Sequence, residues 1–139
     1  QQFHFHAPSE NEIDGQTYPL EGHFVYKTDN GKITVVSVLY NYGDENQALK
    51  QIWDKMPQAA NTETELPQPI SLDDFYPEDK DYYNFEGSLT TPPCTEGVNW
   101  IVFKNQETVS KEQVEKFTQT LGFENNRPIQ DTNGRQIKE

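Results

Sequence analysis

The three histidines of this 139-residue sequence are spaced so that one metal ion can bind all of them. His4 and His6 are separated by one residue, and His23 follows in a second segment rich in apolar residues. On a β-strand, residues i and i+2 point to the same side, so the first two imidazoles can reach one ion. An antiparallel neighbour can bring the third beside them. Because catalytic zinc typically has three protein ligands and a water, we predict that His4, His6 and His23 bind Zn²⁺.

Two polar residues near the histidines fit the same metal site. Gln2 lies two residues before His4, and Glu21 lies two residues before His23, each on the face of its histidine. A metal-binding histidine usually donates its other ring N–H to an amide, carbonyl or carboxylate, which fixes the ring. We predict this role for Gln2 and Glu21, although an ordinary hydrated face would explain either one. Three imidazoles disfavour magnesium but leave iron and copper open beside zinc.

Composition restricts the partners of the chain. The formal net charge is −12, from 23 acidic and 11 basic residues, and this charge repels nucleic acid and anionic membranes. No apolar stretch has the length needed to span a bilayer. The hydrophobic fraction of 32% is low, but aromatic residues make up 12% and the strand patterns are regular. We therefore expect one folded domain whose partners are neither nucleic acid nor anionic membrane.

Apolar and turn-forming residues predict a chain dominated by strands. Two alternating segments, residues 18–27 and 33–40, flank the turn residues 28–32 and predict a β-hairpin. The remaining predicted segments are a strand at residues 1–7, a long connection at 57–81, a loop at 87–93 and a strand at 98–104.

Two helices are predicted at the margin of these strands. The first is expected to begin at residues 44–47, with Gln47 completing a capping box, and to end at Pro57. The second is expected to begin at Ser110, with a capping-box glutamine three residues later, and to stop at Gly122.

Several short motifs occur together along the chain: residues 2–6 with Ser9 and Glu10, 21–25, 87–94, 100–103 and 126–128. With these motifs the sequence resembles the alpha-class carbonic anhydrases, particularly the bacterial ones, from residue 1 to about residue 138. The resemblance implies a mainly β (α+β) fold, with a large twisted, mostly antiparallel central β-sheet and a few peripheral helices. Residues 1–139 would then form a single domain, the C-terminal portion of that fold, without its N-terminal strands and loops.

The resemblance also implies an activity and a set of site residues. Members hydrate carbon dioxide reversibly to bicarbonate and a proton by a zinc-bound hydroxide, so a zinc-dependent lyase is expected. The catalytic residues would be Thr90, which receives a hydrogen bond from the hydroxide, and Glu10, which holds Thr90. The carbonyl of Asn125 would orient His6. The substrate-binding residues implied are Thr90, Thr91, Val25, Val35, Leu89, Val98 and Trp100, of which Val35 and Val98 equally fit a plain core role.

Two more expectations follow from the resemblance. Many members move protons with a further histidine, but all three histidines here are expected on zinc, so this segment alone should be a slow enzyme. Cys94 is the single cysteine, at a place where secreted members form a disulfide with an upstream cysteine. This implies a periplasmic or secreted bacterial protein. A homodimer is compatible with these features.

Two other functions compete with this one. His4, His6 and Glu10 also match the beginning of a cupin motif, which predicts a metal oxygenase with Glu10 as a fourth ligand. A cupin needs its last histidine much later than His23, and residues 87–93 would have no role. The other alternative is a non-catalytic carbonic anhydrase-like module. Inactive relatives lose zinc-binding histidines that this chain retains, and a closed structural zinc site would normally show a fourth protein ligand.

Overall fold

The computed structural model describes residues 2–139 and contains one mixed β-sheet of six strands. The strands are β1 (Gln2–His6), β2 (Leu20–Lys27), β3 (Ile33–Tyr42), β4 (Tyr82–Ser88), β5 (Glu96–Phe103) and β6 (Glu107–Val109). Their order across the sheet is β1-β2-β3-β5-β4, and β6 pairs with β3. Three of the pairings are antiparallel, while β3 is parallel to both β5 and β6. The predicted mainly β fold and the predicted hairpin are confirmed; Gln1, the first residue of the first predicted strand, lies outside the described residues.

The two faces of the sheet have different roles. One face carries aromatic and aliphatic side chains, including Phe5, Phe24 and Tyr40, which form one core with the helix residues Trp53 and Phe117. The opposite face carries the three histidines and a smaller apolar cluster. The strict alternation of side chains along β1 separates these two sets. Burial of the aromatic side chains on one face therefore keeps the histidines on the opposite face of the sheet.

The register of the first three strands aligns polar residues across the histidine-bearing face. His4 of β1 lies opposite His23 of β2, and His23 lies opposite Ser37 of β3. His6 lies opposite Glu21 in the same ladder. Residues opposite each other have Cβ atoms about 4.5–5.5 Å apart, so this register brings the imidazoles within reach of one another.

A buried glutamine joins the starts of both helices. Helix α1 (Gln47–Trp53) is capped by Asn46, and α2 (Lys111–Leu121) is capped by Ser110. The Gln113 side chain accepts from the Asn46 N–H at 2.8 Å and donates to the Asn46 carbonyl at 2.8 Å. It also accepts from the Ser110 N–H at 3.1 Å, which completes the predicted capping box of α2. One amide thus satisfies backbone groups of two helix termini.

The predictions for the second helix are confirmed, whereas those for the first are partly wrong. Gly122 ends α2 in a left-handed conformation with φ of +82°, as its position predicted. The first helix begins two residues later than a capping box with Gln47 requires, because Asn46 rather than Asp44 is the N-cap and its side chain accepts from Leu49 N–H. It ends at Trp53 rather than at Pro57.

Two strands were not predicted from the sequence. Strand β4 is an edge strand whose side chains are mostly half-buried, so its alternation is weak. It runs through Gly87, which the sequence placed in a loop. A Cβ on Gly87 would lie 2.9 Å from Trp100 Cδ1, so glycine is needed for this close approach.

Strand β6 has only three residues. The predicted connection at residues 57–81 contains a 3₁₀ helix, Leu72–Phe75. Within the described chain, no helix has the length and apolar character to cross a membrane.

Replacing Gln113 by alanine is expected to lower the free energy of unfolding by about 2–4 kcal/mol, because two buried groups of Asn46 lose their partners. Gln119 of the same helix is exposed, so Gln119→Ala is the matched control and should change stability by less than about 0.5 kcal/mol. Urea unfolding followed by tryptophan fluorescence measures both. Equal destabilisation by the two changes would contradict the double-capping role.

Candidate metal centre

The three histidines form one cluster on the face of β1 and β2. One ring nitrogen of each lies within 4.8 Å of the others. The ring centroids of His4 and His6 are 5.0 Å apart, those of His4 and His23 are 5.3 Å apart, and those of His6 and His23 are 4.7 Å apart. His6 and His23 are buried and His4 is half-buried. The sequence-predicted ligands are therefore brought together.

The first two rings are each held by a hydrogen bond from Nδ1. His4 Nδ1 donates to Gln2 Oε1 at 2.9 Å, and His6 Nδ1 donates to the carbonyl of Asn125 at 2.9 Å. These bonds leave Nε2 of both rings free to bind a metal. Gln2 and Asn125 therefore occupy the orienting positions predicted for them.

The third ring is held by a buried carboxylate. His23 Nε2 donates to Glu21 Oε1 at 2.9 Å, which leaves Nδ1 for a metal. Glu21 also accepts from Ser37 Oγ at 2.5 Å, from the Asn11 side chain at 2.6 Å, and from the backbone N–H groups of Glu10 and Asn11. Burial alone raises the pKa of Glu21, but the His23 charge and these side-chain bonds lower it to about 2. Glu21 is therefore a carboxylate at neutral pH and accepts from His23.

Asn125 contributes more than its carbonyl. Its side-chain Oδ1 accepts from the Ala7 N–H at 2.9 Å, and its Nδ2 donates to the Phe5 carbonyl at 2.9 Å. These bonds join the end of β1 to the C-terminal part of the chain. The same residue therefore fixes both the ring of His6 and the backbone around it. This role of the side chain was not found in the sequence, because it depends on residues far apart in the chain.

The cluster has the chemistry that a zinc site requires. Burial, reinforced by the charges of His23 and His6, lowers the pKa of His4 to about 4. Burial and the His23 charge also lower the pKa of His6. Neutral imidazoles are the form that binds metal. Nε2 of His6 is buried and has no hydrogen-bond partner among the described residues. A bound metal ion would satisfy this buried nitrogen. The donor set therefore fits zinc.

Glu10 lies beside the cluster with one oxygen unused. Its Oε1 accepts from the Arg127 N–H at 2.7 Å and lies 3.2 Å from His6 Nδ1. Its Oε2 is buried and has no hydrogen-bond partner within residues 2–139. The predicted bond from Thr90 to Glu10 is not formed in this structure, although both residues line one cavity of about 340 Å³. Glu10 Oε2 is therefore available to accept from a nearby hydroxyl.

A smaller cavity of about 110 Å³ lies over His4 and His23. Of the substrate-binding residues implied by the resemblance, six line it: Val25, Val35, Leu89, Thr90, Thr91 and Trp100. Val98 does not line this cavity and is buried in the apolar cluster with Val35 and Trp100. Ile33 lines the cavity, although the sequence placed it only in a strand. Its position two residues before Val35 on β3 was the signal that could have identified it.

Trp100 packs against the histidine cluster and forms one wall of this cavity. Its ring meets His23 edge to face at 4.9 Å between centroids, and its Nε1 donates to the Ser88 carbonyl at 3.0 Å. On its other side Phe85 is stacked with an interplanar angle of 2°. These contacts restrict the His23 ring from the side opposite β1.

Comparison with known proteins establishes the family. A model of the eukaryotic-type carbonic anhydrase family matches residues 1–139. The chain belongs to this family. Carbonic anhydrase sequences include one from Pectobacterium carotovorum that is 47% identical over 99% of this chain, and one from Neisseria gonorrhoeae that is 49% identical over 99% of it. The resemblance drawn from the motifs is thereby confirmed.

Solved carbonic anhydrase structures also share the fold. The alpha-carbonic anhydrase from Thermovibrio ammonificans, solved with the inhibitor sulfanilamide, superposes with a TM-score of 0.95 and is 49% identical. The match covers 97% of this chain and 60% of that one. The chain likewise spans 56% of the Pectobacterium relative and 54% of the Neisseria relative, which is about half of each.

Membership of the carbonic anhydrase family leaves the cupin alternative unsupported. The cluster of candidate ligands within the described residues consists of the three histidines, without Glu10. Glu10 Oε1 instead accepts from the backbone of Arg127. The family match and the composition of this cluster therefore do not favour a cupin-type site with Glu10 as a fourth ligand.

The Asn125 side chain is expected to matter for metal affinity. Asn125→Ala removes the two bonds to β1 and so loosens the carbonyl that orients His6, and the zinc dissociation constant should rise about 10–100-fold. Neighbouring Asn126 makes no side-chain hydrogen bond within residues 2–139, so Asn126→Ala is the control and should bind zinc like the parent chain. Competition against a chromophoric chelator measures both constants. Equal affinities of the two variants would refute this role.

Proposed function

We propose that this protein catalyses the reversible hydration of carbon dioxide to bicarbonate and a proton. The observation that carries the proposal is the cluster of three imidazoles, each with one ring nitrogen held by a hydrogen bond, in a chain of the carbonic anhydrase family. His4 and His6 would hold zinc through Nε2, and His23 through Nδ1. Bound there, zinc supplies a hydroxide nucleophile at neutral pH by lowering the pKa of water to about 7.

Thr90 and Glu10 orient the nucleophile in this proposal. Thr90 lies on the wall shared by the two cavities, so its hydroxyl can face His4 and His23 on one side and Glu10 on the other. The unused Oε2 of Glu10 is a strong acceptor for that hydroxyl. With its own proton donated to Glu10, the Thr90 oxygen can only accept from the nucleophile. Such orientation lowers the barrier without covalent chemistry.

The cavity over the histidines suits a small uncharged substrate. Its volume of about 110 Å³ is sufficient for a triatomic molecule, and Val25, Val35, Leu89 and Trp100 give it an apolar wall. Apolar walls bind carbon dioxide without favouring water or ions. Thr91 lies at the same cavity and would contact the bicarbonate product.

An active enzyme is favoured over a non-catalytic member of the family. The chain retains all three histidines, and Glu10 and Thr90 remain beside them. The cluster of candidate metal ligands contains no fourth protein group among residues 2–139, so a coordination position is left for water. A purely structural site would be closed by that fourth ligand.

We also propose that this protein is periplasmic or secreted. Cys94 is the single cysteine of the chain and is only half-buried, in the loop between β4 and β5. A thiol in that position can form a disulfide with a cysteine outside this chain, which requires an oxidising compartment. The disulfide of Cys94 and the formation of a homodimer both remain predictions.

Thr90→Val should lower kcat/KM for carbon dioxide hydration roughly 100-fold, because it removes one oriented hydrogen-bonding group from the reacting centre. Thr95→Val is the matched control: Thr95 is exposed in the same loop, and within residues 2–139 only its carbonyl is hydrogen-bonded, by Leu89 N–H. Stopped-flow hydration with a pH indicator gives the rates. Chelation should abolish activity in every variant and zinc should restore it. Full activity of Thr90→Val, or activity that survives chelation, would refute the mechanism.

The rate of this chain should depend on buffer. The residues that line the 110 Å³ cavity carry no ionisable side chain except His4 and His23, so the product proton has no acceptor there. A small imidazole buffer should therefore raise kcat in proportion to its concentration and leave kcat/KM unchanged. A bulky buffer of the same pKa is the control and should act more weakly. A kcat independent of imidazole concentration would contradict this account.

A further inference from the structure

Two Asn-Gly dipeptides lie on exposed turns, and neither lines the 110 Å³ cavity over the histidines. They are Asn30-Gly31, in the hairpin between β2 and β3, and Asn133-Gly134, near the end of the chain. Glycine after asparagine leaves the backbone nitrogen unhindered, so that nitrogen can attack the asparagine side chain. All four residues are exposed to water. The structure distinguishes the two sites by the hydrogen bonds around the reacting atoms.

At Asn30 both reacting groups are held. The Gly31 N–H donates to the Thr28 carbonyl at 2.9 Å. The Asn30 Oδ1 accepts from the Thr28 hydroxyl and from the Lys32 N–H. Attack requires the Gly31 nitrogen to leave the Thr28 carbonyl and the Asn30 side chain to turn toward it, which breaks the bonds that hold this side chain to Thr28 and Lys32. Each of these three bonds is worth about 1 kcal/mol. Breaking them raises the barrier by more than about 1.4 kcal/mol, which is the increase that slows a reaction about tenfold.

At Asn133 neither reacting group is held. The turn is closed by a bond from the Arg135 N–H to the Thr132 carbonyl at 2.9 Å. Asn133 and Gly134 both have positive φ, +51° and +77°, as in a type I′ turn. Within residues 2–139, the Gly134 N–H and the Asn133 side chain make no hydrogen bond. The nucleophile and the electrophile are therefore both free and solvated.

We propose that Asn133 is a site of spontaneous deamidation, which converts the Asn133-Gly134 turn mainly to an isoaspartyl linkage while Asn30 is protected. The co-reactant is water, and the product is a substrate for enzymes of the isoaspartyl O-methyltransferase class. This modification is independent of the proposed catalytic function.

The reaction balances without any oxidant or reductant. The Gly134 backbone nitrogen loses its proton and bonds to Cγ of Asn133, while the Cγ–Nδ2 bond breaks and ammonia leaves with that proton. The product is a five-membered succinimide. One water then opens the ring. Cleavage of the bond to Cγ gives aspartate, and cleavage of the bond to the backbone carbonyl carbon gives the isoaspartyl form, whose main chain is one carbon longer.

The modified turn adjoins a clamp made by Arg135. Its guanidinium donates to the carbonyls of Thr132 at 2.8 Å, Asp131 at 3.1 Å and Glu86 at 2.9 Å. It also lies over the ring of Phe85, at 6.0 Å from the centroid. A longer main chain at residue 133 cannot keep the turn that aims Arg135 at β4. The isoaspartyl form should therefore loosen the attachment of the C-terminal segment to that strand.

Incubation of the folded chain in mildly alkaline buffer tests the proposal, followed by peptide mapping for a mass gain of about 1 Da and by isoaspartyl methylation. Asn133 should convert at least about tenfold faster than Asn30. In denaturant the two sites should convert at similar rates, because the folded bonds are absent. Asn133→Gln is the matched variant and should remove most of the methylation, leaving only the slower contribution of Asn30, without unfolding the chain. Hydrogen exchange of residues 84–88 should quicken in the modified parent chain.

Two outcomes would overturn the proposal. The first is conversion of Asn30 as fast as Asn133 in the folded chain. The second is conversion of both sites in denaturant with no conversion of Asn133 in the folded chain, which would mean that the turn geometry protects it.

Discussion

The alignment of His4 with His23 across the first two strands is the constraint on which the site depends. A shift of one residue in this register would move the β1 histidines to the aromatic face. The shift is prevented from the other side of the sheet, where Phe3 stacks on Phe24 and Phe5 packs edge to face on Trp53. Burial of these rings supplies the stability that places three imidazoles in a half-enclosed cleft. The chemistry on one face is thus positioned by packing on the other.

The buried carboxylate of Glu21 connects this register to the rest of the centre. It binds His23 on its own strand, Ser37 on β3, and the backbone of Glu10 and Asn11 in the segment after β1. A fully buried charge is costly unless every acceptor position is used, and here the donors come from three different segments. The sheet, the loop that carries Glu10 and the third ligand are therefore held together by one group.

Short-range periodicity was sufficient to predict the three candidate ligands and two of the groups that orient them. Gln2 and Glu21 each lie two residues from their histidine, and a strand places such pairs on one face. The capping box at Ser110 was equally local. Such local patterns could not predict contacts between segments that are far apart in the sequence. The carbonyl of Asn125 came only from the family resemblance, since 119 residues separate it from His6. The link between Asn46 and Gln113 had no sequence signal, because it depends on how two helices approach the same edge.

In the proposed site three histidines, and no other protein group, bind one zinc ion. X-ray absorption at the zinc edge of the reconstituted chain tests it directly. We expect one zinc per chain with three imidazole nitrogens and one light oxygen-type ligand at about 2.0 Å. A sulfur ligand from Cys94, a carboxylate from Glu10, or a zinc stoichiometry well below one would contradict it.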